Sequence, residues 1–165
     1  MNHPSEPVSA FERGLERLAS VATVLAALGL FGMVIAQGWQ VLARYALNAS
    51  PSWTEPVTLI CLTTTLAFGA AAGVHGRNHF KFPLLVLLLP EAGQRLFVRI
   101  SALIIISVGL LIAVFGMQLG LDGMNVRMAG APLPQSAAFF PLAFGGVLMS
   151  LFALPQLVRA PLETV

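Results

Sequence analysis

Four long stretches of this chain carry no Asp, Glu, Lys or Arg, and the charged residues lie between and outside them. Arg17 and Arg44 bracket the first, Glu55 and Arg77 the second, Arg99 and Asp122 the third, and Arg127 and Arg159 the fourth. Each is long enough to cross a hydrocarbon core of roughly 30 Å, which takes about 20 apolar residues as helix. Only helices and closed barrels satisfy their backbone in lipid, and these runs lack the polar alternation of a barrel strand. The expected fold is an all-α integral membrane protein, a single domain over residues 1–165 with four transmembrane helices. Their expected positions are about 18–42, 55–75, 92–119 and 137–157.

Composition leaves little room for another class. With 57% hydrophobic and 10% charged residues, the chain is far from the balance of a soluble domain. The basic residues are scattered and not interleaved with aromatics, so they read as topology signals and not as a nucleic-acid surface. The single cysteine, Cys61, lies mid-span and forms no intrachain disulfide. Arg13 and Arg17 resemble the basic region of a signal peptide, but the apolar run from Leu18 to Leu42 is about twice a usual signal core. No clean Ala-x-Ala site follows it, so the helix is expected to be retained.

Orientation follows from the same charges. Arg13, Arg17, Arg77, Lys81, Arg95, Arg99 and Arg159 fall on one side of the spans; only Arg44 and Arg127 fall on the other. The positive-inside rule then puts both termini in the cytoplasm.

The connection from Arg44 to Glu55 holds the turn formers Asn48, Ser50, Pro51 and Ser52. Ser52 with Glu55 fits a capping box for the second helix, and Thr54 is an alternative cap. Tyr45 and Trp53 suit interface depth. Arg44 and Glu55 flank this connection either as an ion pair or as two separately solvated charges. Between the second and third helices, residues 80–89 are apolar but too short to span, and are expected along the membrane surface. Pro90 and Glu91 open the third helix, where Arg95 and Arg99 share one face toward lipid phosphate or a partner protein. Ser136 is a plausible cap for the fourth helix, and Pro141 predicts a kink.

No ionisable side chain lies centrally in any span, which argues against this chain moving protons or a charged solute alone. The polar residues there are Gln37, Gln40, Thr58, Thr63, Thr64, Thr65, Ser107, Gln118 and Ser150. They read as interhelical hydrogen bonds worth roughly 1 kcal/mol each. Gly69 with Gly73, and Gly116 with Gly120, have the four-residue spacing that lets helices approach closely, within the chain or against a partner. His75 and His79 have the spacing of two ligands on one helical face, but they sit at the end of the span and read as interfacial polar residues. No nucleophile–base set, phosphate loop or paired interior carboxylates occurs, so neither catalysis nor a bound cofactor or metal is expected.

The order of these features resembles the small membrane subunit of tripartite ATP-independent periplasmic (TRAP) transporters, the DctQ-type permease. Three landmarks carry the likeness. Val41-Leu42-Ala43-Arg44-Tyr45 closes the first helix, and Trp53-Thr54-Glu55 opens the second. The second helix leaves through Phe68-Gly69-Ala70-Ala71-Ala72-Gly73-Val74 toward His79. The resemblance runs from about Glu12 to Leu157. The chain departs from it at Pro56 and at Pro83, where the family often has acidic residues.

The resemblance implies a non-catalytic scaffold, or stator, for a large permease subunit in the bacterial inner membrane. That subunit would carry the sodium and substrate sites, with a periplasmic binding protein delivering an organic acid. Candidate partner-facing residues are Arg44, Trp53, Glu55, Gly69, Gly73, His79, Arg95 and Arg99, together with the surrounding lipids. The alternatives are a haem-binding membrane anchor of an electron-transfer complex, using His75 and His79, and a small self-assembling channel or exporter.

Overall fold

A computed structural model of the chain describes residues 10–49, 51–76 and 91–158. Among these residues the chain is all-helical, with four α-helices long and apolar enough to cross a membrane. They are α1 (Ala10–Ala46), α2 (Thr54–Gly76), α3 (Glu91–Asp122) and α4 (Ser136–Val158), and a 3-10 turn, Gly123–Asn125, prolongs α3. The surface segment expected at 80–89, with Arg77, Lys81, His79 and Pro83, lies outside the described residues, as does Arg159.

At 37 residues, α1 is longer than the uncharged stretch that announced it. Glu12, Arg13, Glu16 and Arg17 ride on its first turns because a helix continues into water after hydropathy falls. Its length is roughly 55 Å at 1.5 Å per residue. The loss of hydropathy marks the hydrocarbon boundary and not the helix end.

Packing links the helices in the order α1, α2, α4, α3, so α1 and α3 are the outer members and α2 meets α4 at the centre. α1 and α2 form one antiparallel hairpin and α3 and α4 a second, with α2 and α4 running parallel. The contact rows are made of small residues. On α1, Ala22, Gly29, Ala36 and Ala43 are buried at seven-residue intervals; Ala102, Gly109 and Gly116 of α3 and Gly123 of the 3-10 turn do the same. Seven-residue spacing keeps one face of a helix against its neighbour, and small side chains let the two backbones close up.

The two hairpins repeat one another in atomic detail. The Thr65 hydroxyl on α2 donates to the carbonyl of Cys61, at 2.9 Å, and to that of Ala26 on α1, at 3.3 Å. The Ser150 hydroxyl on α4 donates to Gly146, at 3.0 Å, and to Ile106 on α3, at 3.3 Å. Gly29 faces the first pair as Gly109 faces the second. A Cβ on Gly29 would meet Thr65 Oγ1 at 2.6 Å and the Cys61 carbonyl at 2.9 Å; one on Gly109 would collide with Ser150 Oγ and meet the Gly146 carbonyl at 2.9 Å. Ala22, Gly29, Ala36 and Ala43 thus recur eighty positions on as Ala102, Gly109, Gly116 and Gly123.

Adjacent glycines on α4 join the hairpins. A Cβ on Gly145 would lie 2.6 Å from the Ala67 Cβ of α2, and one on Gly146 would lie 2.6 Å from the Gly109 carbonyl of α3. Toward the α1 N-terminus, Leu15 and Ala19 pack with Ala71, Val74, Phe152 and Ala153. Pro141 and Pro155 both lie inside α4.

Candidate partner interface

The connection between α1 and α2 is tied to the one between α3 and α4. At the end of α1, the Ala43 carbonyl accepts from Leu47 N–H at 3.2 Å and Ala49 N–H at 3.1 Å. Asn48 turns the chain with φ 50°, a left-handed value that asparagine tolerates. The first bond of α2 runs from Val57 N–H to the Trp53 carbonyl. Thr54 is fully buried, and its hydroxyl donates to the Pro51 carbonyl at 2.8 Å.

The capping box expected from Ser52 and Glu55 gives way to a tertiary contact. The Ser52 hydroxyl donates across to the Gly130 carbonyl at 3.0 Å. Gly130 sits in a short hairpin-like loop held by Met128 N–H to Leu133 O and Gln135 N–H to Val126 O. Its φ is +89°, and a Cβ there would strike the Ser52 carbonyl. Glycine is needed at this position for both reasons.

The two loops therefore form one platform. Exposed on or beside it are Arg44, Tyr45, Trp53, Glu55, Asp122 and Arg127, so both signs of charge are presented with two aromatic rings. Of the two arrangements open for Arg44 and Glu55, the structure has the separated one: each is exposed and no ion pair joins them. The platform can receive a polar partner surface through these groups.

At the other end, Gln156 of α4 donates to the last carbonyls of α2, at Val74, over 3.2 Å. The His75 ring packs against Phe152, with centroids 5.1 Å apart. His79 lies outside the described residues, so the proposed pair with His75 is not placed. No cluster of three or more metal-ligating side chains occurs among the described residues. Arg95 and Arg99 belong to the opening turns of α3, where Arg99 is exposed; the Arg95 side chain lies outside the description.

The glycine pairs divide. Gly116 and Gly120 pack within the chain: a Cβ on the first would sit 2.9 Å from the Ala143 nitrogen, and on the second 3.1 Å from the Phe140 ring. A Cβ on Gly69 would make only ordinary contact with Ala26, at 3.8 Å, and one on Gly73 would meet nothing within 4 Å. The Gly69–Gly73 spacing brings no helix of this chain unusually close. Close approaches also occur at Gly29 and Gly109, which stand in the seven-residue rows of small residues, and at the adjacent Gly145 and Gly146, which no four-residue glycine spacing marks.

Polar residues inside the spans also divide. Thr65 and Ser150 bond across helices, whereas Thr63, Thr64 and Ser107 bond only within their own. Thr58 Oγ1 is buried with no partner among the described residues. Gln37 and Gln118 point outward from α1 and α3.

The family model described as tripartite ATP-independent periplasmic transporters, DctQ component, matches residues 33–161. Comparison with curated proteins gave no match.

Proposed function

The chain belongs to the DctQ component family of tripartite ATP-independent periplasmic transporters, and from that premise we propose that it acts as the non-catalytic stator of such a transporter. It is a multi-pass membrane protein and a transport component by fold and family. In our reading, residues 1–165 form one membrane domain of a bacterial inner membrane, with both termini cytoplasmic. The chain enlarges the immobile scaffold of a large permease subunit. That subunit carries out sodium-driven uptake of an organic acid, delivered by a periplasmic binding protein that meets the joined-loop platform.

The observation that carries this reading is the reach of the family match, from the middle of α1 through α4. Three features support it. The spans lack central charges, which suits support more than conduction. The outer helices keep broad faces exposed, available to another membrane chain. The platform presents Arg44, Glu55 and Arg127 where a soluble partner would approach. Candidate contacts with the partners remain Arg44, Trp53, Glu55, Gly69, Gly73, His79, Arg95 and Arg99.

Purification of the tagged chain from its native membrane tests the pairing: a much larger multispanning permease should be retained, and a chain recovered alone would count against it. Orientation has its own check, in a Cys61→Ala background labelled with an impermeant maleimide. A129C should react in intact cells and T164C only after permeabilisation; the reverse pattern would contradict N-in, C-in.

A further inference from the structure

Thr58 stands apart from the other threonines of α2. Thr54, Thr63, Thr64 and Thr65 each donate to a backbone carbonyl, whereas Thr58 Oγ1 is buried and bonded to nothing among the described residues. A hydroxyl carries one donor and two acceptor lone pairs, and shutting it away unused is costly. Native interiors seldom tolerate that, and an ordered water is a common partner where protein groups fall short.

The heptad register identifies what Thr58 faces. It stands seven residues before Thr65, on the stripe of α2 that meets α1. Thr65 donates to the Cys61 carbonyl of its own helix and to Ala26 across the seam. One heptad along, the matching carbonyls belong to Thr54 and Met33, and Ala36 takes the place of Gly29. That exchange sets the spacing. A Cβ at Gly29 would lie 2.6 Å from Thr65 Oγ1, so the helices close up there only because glycine has none. Ala36 has a Cβ and is only 4% exposed, so α1 must stand farther from α2 beside Thr58. The wider spacing puts the far carbonyl beyond the direct reach of the hydroxyl.

The second hairpin supplies a control. Gly109 and Ser150 repeat Gly29 and Thr65, and one heptad along Gly116 and Ala143 repeat Ala36 and Thr58. A Cβ on Gly116 would sit 2.9 Å from the Ala143 nitrogen, so the backbones there are again in close approach. The spacing methyl and the hydroxyl occur together in the first hairpin, and at this level the second has neither.

We propose that the α1–α2 seam holds one ordered water at Thr58, bridging its hydroxyl to the carbonyls of Met33 and Thr54. Three polar groups are the usual complement of a buried water. The part of the seam leading to Arg44 is thus joined through water, while the second hairpin is dry at the matching level.

Water-edited solid-state NMR on the full chain in lipid bilayers tests this directly. Magnetisation from water protons should reach Thr58 and should not reach Ala143. Thr58→Val keeps the shape and removes the hydroxyl, and it should melt about 3 °C or more below the parent. Thr58→Ser keeps the hydroxyl and should keep the water signal. Absence of transfer to Thr58 in the unmodified chain overturns the site. So does T58V melting at or above the parent, the result for a hydroxyl that bonds to nothing.

Discussion

Gly146→Val is expected to open the α3–α4 hairpin and lower the stability of the protein by about 3 kcal/mol or more. A Cβ at Gly146 would lie 2.6 Å from the Gly109 carbonyl oxygen and 2.7 Å from the Ala113 nitrogen. Both obstacles are backbone, so neither can swing aside as a flexible side chain would, and relief requires the helices to separate. Separation then removes the Ser150 bond to Ile106 and the close packing of Gly116 on Ala143. Gly73→Val provides the contrast, because Gly73 is exposed and a Cβ there meets nothing within 4 Å. In detergent, followed by helicity against temperature, G146V should melt well below the parent and G73V close to it. Equal melting of the two variants would show that the tight α3–α4 contact does not hold the hairpin.

The helices were readable because hydrocarbon imposes one strong requirement on every residue of a span. Charge-free runs therefore exposed four helices and an all-α fold without any knowledge of neighbours. The order α1, α2, α4, α3 was less visible, since small residues look the same whether they face a helix of the chain or a partner. Of the two glycine pairs with four-residue spacing, Gly116–Gly120 packs closely inside the chain and Gly69–Gly73 does not, while further close contacts fall on Gly29, Gly109, Gly145 and Gly146. The repeat of Ala22, Gly29, Ala36 and Ala43 in α3 was present in the sequence, but bulkier neighbours hid it from a reading by hydropathy.

The candidate site was legible in part. Arg44, Trp53 and Glu55 do gather beside one connection. What joins that connection to the other is Ser52 on Gly130, a contact between residues 78 positions apart. Ser52 has a strong local preference for capping, and the tertiary hydrogen bond displaced it. No local pattern around Gly130 names its distant partner.

The second large effect concerns transport itself. Sodium sites in secondary transporters are built from oxygen ligands on interrupted helices near the bilayer midplane. Here α1, α2 and α3 run unbroken through the described residues, and their central turns carry no Asp, Glu, Lys or Arg. The prolines of α4, Pro141 and Pro155, lie within a continuous helix. Under the stator proposal the chain by itself is therefore expected to show no coupling of a sodium gradient to an organic acid. In the proposed reading its contribution is to hold a larger subunit, and removing it should then abolish uptake and not merely slow it.

The direct measurement is uptake of a radiolabelled organic acid by liposomes under an inward sodium gradient, with the chain, the large permease and the binding protein reconstituted together and with each omitted in turn. The stator account predicts uptake only when all three are present, and background counts from the chain alone. Sodium-dependent uptake by the chain alone, or undiminished uptake when only the chain is omitted, would contradict it.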